Sequence, residues 1–488
     1  MLSLLYFLRF TWLCCLLSAV PFSLFSQNNT PAPALEILLS FQAEPAAPVV
    51  VADSSSGRSF VFFHPAKAPF ADEYPCQAFE LAMKPPYVQH PGPVGKIRLA
   101  WGWKSDPKPL ASCQDKEAVY IWLLDHLQLL AVRIDKTDLT VKSTPTLRLE
   151  HRNDILGVTM RGDHALLLLK EKRRRDKSVI KIIRLQAGAP GPAQEVAATH
   201  LYGLFSKDFR PPQTATGINC DPAQAASPFR LFDLGNDTIW ITHDGRFGPS
   251  GLETAALRLY TVDLKRGTSN LEELPYLPSG PQTGIAARGA SYIAQGKLFQ
   301  VYVTHAQWNL LVRDLATRSV LHHEHITLRD SLPAFNAPVR ISKNFLQGKS
   351  SNPVEELLNA YMETLPYLLV EPSQEGYRLH SGGSSVASGE LWLAPFIQPS
   401  AAVGILVRRW SQQRSFSLYR LLDKGSLDTH PEPVLEKTFF QACENLSDAL
   451  NEQAKRAAEA VYRFGAKSYL GVYTVKTAQY GFYRLEDW

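Results

Sequence analysis

NDTIWITHDGRFGPSGLETAALRLYTVDLKRG, residues 236–267, reads as two strands joined by a polar, Gly-rich loop. In the first strand Ile239 and Ile241 project to one side and Trp240 and Thr242 to the other. In the second, Leu257 and Leu259 oppose Tyr260, Val262 and Leu264. Large groups on both faces predict a sheet covered on both sides, one layer of a larger stack.

Four further passages share the type, each an apolar strand that ends near a charged or Gly-containing turn. They are LQLLAVRID (127–135), SVIKIIRL (178–185), NLLVRDL (309–315) and FSLYRLLD (416–423), with LRLYTVDL (257–264) the one quoted above. A second strand is expected before each, at 119–124, 165–169, 238–242, 298–303 and 390–395. The five passages start 51, 79, 52 and 107 residues apart. About fifty residues suit one four-stranded blade, and the longer gaps leave room for an insertion or a fainter blade. The expected fold is mainly β, a propeller-like repeat of antiparallel sheets with about six or seven blades. The alternative is a multi-domain β-sandwich, but its hairpins would be spaced more closely, at about 8 to 12 residues.

Outside these passages, 59–63 and 96–103 read as strands, and the Pro-rich piece at 84–93 between them as loop. Two helices are expected. Asn352 caps the first, Pro353 opens it, Glu355 completes the capping pair and Pro366 ends it. Leu357, Leu358, Tyr361, Met362 and Leu365 form its apolar stripe. The second is expected over 433–464, because Leu435, Phe439, Cys443, Leu446, Leu450, Ala454, Ala457, Val461 and Phe464 recur at steps of three or four. A Tyr-rich hairpin over 468–485 follows. The expected organisation is a signal peptide at 1–26, a linker or edge strand at 27–56 and the β domain at 57–430 with a helical insertion near 352–366. A helix and hairpin at 431–488 would cap the β domain or close its ring against the N-terminus.

The 488 residues are 45% hydrophobic and 20% charged, a globular composition. In the first 26 residues Arg9 is the one charge, and the apolar run 11–25 matches a signal-peptide core more closely than a membrane span. The chain is therefore expected to be exported, secreted or held in the periplasm or cell envelope, and its mature form not to span a membrane. An uncleaved N-terminal anchor is the alternative. Among the remaining cysteines, Cys76 and Cys113 are nearest in sequence and would pair first in an oxidising compartment. Cys220 and Cys443 are the other two.

The net charge of +5 is small for this length. Much of it sits in KEKRRRDK, residues 170–177, where Lys170, Lys172, Arg173, Arg174, Arg175 and Lys177 would form a basic hairpin tip. A broad nucleic-acid surface is not indicated. His323 and His325 alternate to one side of an expected strand and could share a metal ion if a third ligand came from elsewhere. Thr242-His243-Asp244-Gly245, with Phe247 as the aromatic, resembles the acidic turn of sialidase-type propeller repeats, one residue off in spacing. Ordinary Asp-Gly turn chemistry explains it better. No nucleophile elbow, phosphate loop, dinucleotide fingerprint, CxxC pair or calcium loop is present, so no cofactor is implied. The expected function is non-catalytic binding of a protein or glycan. The alternative is a propeller hydrolase with convergent carboxylates at the channel mouth, one of them with a raised pKa.

Overall fold

In the computed structural model, residues 33–40, 45–46, 48–53, 58–65, 73–82, 88–98, 107–125, 127–150, 155–171, 178–198, 229–244, 256–276, 287–330, 340–341, 352–372, 374–389, 410–428, 450, 456–464, 467–474 and 477–484 are described. Within them lie seven four-stranded antiparallel sheets. Blade 1 holds β2 (Val49–Asp53), β3 (Arg58–Phe63), β4 (Glu73–Ala82) and β5 (Val88–Arg98). Blade 2 holds β6 (Lys108–Gln114), β7 (Ala118–Asp125), β8 (Gln128–Asp135) and β9 (Val141–Arg148). Blade 3 holds β10 (Ile155–Arg161), β11 (His164–Glu171), β12 (Val179–Gln186) and β13 (Ala189–Ala197). In blade 4 are β14 (Phe229–Asp233), β15 (Thr238–His243), β16 (Ala256–Asp263) and β17 (Thr268–Pro275). In blade 5 are β18 (Ala287–Ala294), β19 (Lys297–Thr304), β20 (Gln307–Asp314) and β21 (Val320–Thr327).

The last two blades depart from chain order. Blade 6 is built from β23 (Leu365–Pro372), β24 (Gly376–Gly389) and β25 (Trp410–Asp423), and its outer position is taken by the earlier β22 (Arg340–Ile341). Blade 7 consists of β26 (Arg456–Phe464), β27 (Lys467–Thr474) and β28 (Gln479–Arg484), completed by the N-terminal β1 (Leu35–Leu38). The pairs Leu35↔Phe482 and Ile37↔Tyr480 fasten the ring.

Each core lies between two neighbouring blades, which is the packing of a propeller. Ile239, Ile241, Tyr260 and Val262 of blade 4 pack with Leu156, Leu168, Ile180 and Ile182 of blade 3. The opposite face of the same blade, Leu257 and Leu259 with Trp240 against it, packs on Leu298 and Tyr302 of blade 5. The expectation that both faces of this hairpin are covered is met. Separate cores join blades 7 and 1, 1 and 2, 2 and 3, and 5 and 6. Fourth strands such as β13 and β21 are largely exposed, so they form the rim. First strands neighbour one another between blades 1 and 2, 2 and 3, 3 and 4, and 5 and 6, on the side of the sheets opposite the rim.

The five apolar passages are β8, β12, β16, β20 and β25, the third strand of five different blades. Four of them end in the same turn. Asp135, Asp263, Asp314 and Asp423 each accept, at the main-chain carbonyl, the N–H of the residue four positions on. That residue is left-handed in every case: Leu139 (φ 59), Gly267 (φ 65), Arg318 (φ 64) and Leu427 (φ 64). The aspartate side chain reinforces the turn in three of them, accepting from Thr137, Arg266 and Thr317 N–H groups.

Several expectations change. Residues 88–98 form β5, so the Pro-rich piece at 84–93 is not all loop. Pro91 and Pro93 are tolerated because β5 is an edge strand, and the register shifts opposite them, between Gln77 and Phe79. The second strand of blade 6 is β24, whereas the strand expected at 390–395 lies outside the described residues. The helix expected over 433–464 gives way to β26 at Arg456. Pairing with β27 decides the matter there, overriding the helical spacing of Ala457, Val461 and Phe464. Leu450 is helical and buried, and the rest of 433–455 lies outside the described residues.

One helix, α1 (Pro353–Glu363), is among the described residues, and its cap is as expected. Asn352 Oδ1 accepts from Val354 N at 2.9 Å, and Leu357, Leu358 and Tyr361 enter the core between blades 5 and 6. The pairing of Cys76 with Cys113 does not occur, since both are free buried thiols. Cys76 belongs to the core between blades 1 and 2, whereas Cys113 sits with Ala118 and Tyr120 in a separate cluster. Burial lifts the Cys76 thiol to about 12, which keeps it protonated. Among the described residues, no helix is long and apolar enough to cross a membrane.

Candidate functional site

Blade 4 holds two buried charged side chains, Arg230 and Asp244. Arg230 lies on its first strand, β14, and Asp244 directly follows its second, β15. Asp244 accepts from Ser291 N at 2.9 Å, from Ser291 Oγ at 2.7 Å and from Tyr276 Oη at 2.9 Å. Ser291 is on β18, the first strand of blade 5, which pairs with β19 alone. The carboxylate therefore satisfies an N–H that the sheet leaves open on its inner edge. Arg230 reaches further, donating through Nη1 to the Leu368 carbonyl on β23, the first strand of blade 6. Arg230 thereby ties the first strand of blade 4 to that of blade 6, past blade 5.

The electrostatics follow from this burial. Desolvation pushes the Asp244 carboxyl up, opposed by the hydrogen bonds from Ser291 and Tyr276 and by the Arg230 charge. Desolvation likewise lowers Arg230, with Asp244 opposing. The Tyr276 hydroxyl is held well above its ordinary value by burial and by Asp244. The Tyr276 ring stacks on Tyr302 at 4.8 Å. Gly289 makes room for it, because a Cβ there would lie 2.5 Å from Tyr276 Oη. Next to Asp244, His243 stacks on Phe229 at 4.0 Å, and burial brings its pKa down to about 4.

This arrangement is chemically a clamp. Its one carboxylate is occupied by three donors, and the charge acting on it is an arginine, not a second acid. Asp244 is also not the tip of a solvated turn, so the resemblance to an acidic sialidase-type turn does not extend to its surroundings. Gly245 and Phe247 lie outside the described residues.

The other residues singled out in the sequence fall elsewhere. His323 and His325 are on β21 at the rim of blade 5, both exposed, with ring centroids 5.7 Å apart. Among the described residues no three His, Cys, Asp or Glu side chains gather as a metal site. Lys170 ends β11, where its neighbour Glu171 pairs with Lys181. Lys172, Arg173, Arg174, Arg175 and Lys177 lie outside the described residues, as do Cys220 and Cys443. Sequence reading missed Arg230, Tyr276, Gly289 and Ser291. None carries a motif, and Tyr276 and Ser291 stand 32 and 47 residues from Asp244.

No family model and no curated protein matches the chain. Among solved structures it is similar to the Dos1 propeller, at 8% identity and a TM-score of 0.36, over 94% of this chain and 87% of that one. It is similar to the N11 neuraminidase-like protein of an influenza A virus from a flat-faced bat in Peru, at 8% identity and a TM-score of 0.30, over 80% and 91% of the two chains. A GH43_1 enzyme from Xanthomonas citri complexed with xylose gives 10% identity and a TM-score of 0.24, over 57% and 84%. The propeller class rests on the sheet order and the inter-blade cores.

Proposed function

We propose that this chain is an exported, non-catalytic binding propeller that engages a protein or glycan ligand at one end of its ring. The observation that carries the reading is how its buried charges are used. A channel hydrolase needs two carboxylates converging on one bond, one of them kept protonated. Asp244 has the raised pKa but spends its oxygens on Ser291 and Tyr276, and its charged neighbour is Arg230. The apolar segment at 1–26 supports export, with processing before about residue 27.

The test is a glycan and peptide array with the mature chain, followed by a turnover assay on every hit. Retention of a ligand with no product is the expected result. Product formation that survives Asp244→Asn would move the protein to the hydrolase class with a site elsewhere. Expression with the native N-terminus and sequencing of the exported form checks the leader, and a chain still beginning at Met1 would overturn export by cleavage.

A further inference from the structure

The rim strand β21 carries a feature that the clamp does not absorb. Its side chains alternate between two faces. His322 and Glu324 turn toward blade 6, where Glu324 pairs with Arg420 at 2.7 Å and His322 Nδ1 lies 3.9 Å from Asp428. His323 and His325 turn the other way and are exposed. Their rings are 5.7 Å apart, and two imidazoles on one tetrahedral zinc have ring centres about 5 Å apart. A small side-chain rotation closes that difference.

The His323 ring is also oriented for such a role. Its Nε2 lies 3.2 Å from Asn309 Oδ1 on the neighbouring β20. A carbonyl oxygen accepts only, so Nε2 carries the proton and Nδ1 keeps its lone pair. This is the outer hydrogen bond that fixes the tautomer of metal-binding histidines.

One chain supplies two ligands where tetrahedral zinc takes four. Among the described residues β21, on which they sit, pairs with β20 alone. Val320 and Leu321 at its start and Leu328 just past its end are 41%, 44% and 40% exposed. Large hydrophobic groups along an unpaired edge favour pairing with another strand. A second copy approaching about a two-fold axis would set the same face beside itself, and facing residues on paired strands come within about 5 Å. We propose that the β21 edges of two copies of this chain pair around a zinc ion, each copy supplying His323 and His325.

Sedimentation of the full mature chain with zinc chloride alone tests this. The expected result is a shift from monomer to dimer, reversed by a chelator, with about one zinc bound per two chains. His323→Asn with His325→Asn should remain monomeric with zinc while still unfolding in one cooperative melt, and His325→Asn alone, which leaves the His323–Asn309 hydrogen bond in place, should also stay monomeric. Leu321→Lys should raise the zinc concentration needed at least several-fold. The proposal falls if zinc leaves sedimentation unchanged, if it binds one per monomer, or if the doubly substituted chain still dimerises with it.

Discussion

The two ends of the ring are built differently. In an antiparallel meander, the links between first and second strands and between third and fourth strands emerge at one end. Where such a link joins consecutive strands it never exceeds five residues, from 162–163 to 136–140, and three repeat the aspartate turn with its left-handed fifth residue; the fourth such turn follows β25, from which the chain runs on to blade 7. The links between second and third strands and from one blade to the next emerge at the other end. These include 198–228, 244–255 and 390–409. Short turns satisfy their own backbone and leave little for the rest of the molecule to do. The end with long links is held from within instead, by Arg230, Asp244, Tyr276 and Ser291 reaching between blades.

That contrast predicts unequal sensitivity to substitution. Asp244→Ala should cost about 4 kcal/mol by urea denaturation, because it removes the acceptor of three buried donor bonds and the opposite charge that acts on buried Arg230. A loss below about 1 kcal/mol would mean that the clamp does not hold blade 4 to its neighbours. Acid should act at the same end. The His243 pKa is lowered in the fold to about 4 from 6.5, so the unfolded chain takes up its proton first. Stability should be intact above pH 6.5 and fall on the order of 2–3 kcal/mol as the pH drops toward 4. His243→Asn should flatten that part of the profile, as measured by urea midpoints at pH 7.5 and 4.5.

Gly289→Ala should cost about 2 kcal/mol, since the new methyl meets a Tyr276 ring already stacked on Tyr302. A thermal melt reads it, and an unchanged midpoint would show that the tyrosine can move. Gly267→Ala at the short-turn end should cost least, about 1 kcal/mol, from the positive φ alone. Its nearest neighbour, the Glu195 carbonyl, is 3.8 Å from the added atom. A penalty matching that of Gly289→Ala would erase the contrast between the ends.

What was legible in the sequence follows the same division. The third strands stood out because continuous apolar runs such as LLAV and VIKII are needed where both faces are buried. Their turns were only half visible, since three of the four left-handed positions are Leu139, Arg318 and Leu427, not glycine. The first blade was blurred by Pro75, Pro91 and Pro93, which suit edges and bulges as well as loops. RAAEAVYRF, 456–464, has a helical spacing, and its strand form depends on β27, which composition does not announce. Asp244 was conspicuous, but its role required knowing which blade stands next to which. The expected pairing of Cys76 with Cys113 failed for the same reason, because sequence proximity placed them in adjoining blades and not in one another's reach.

The N-terminal β1 lies in blade 7, and this has a consequence for biosynthesis. A ribosome releases Leu35–Leu38 early, yet their hydrogen-bonding mate, Gln479–Arg484, is among the last segments made. During all the intervening time the opening strand must wait single. The first and last described strands pair on one sheet, so a new start and stop cut into a tight turn, with β28 joined to β1 through a linker, should yield the same ring with its clasp moved elsewhere.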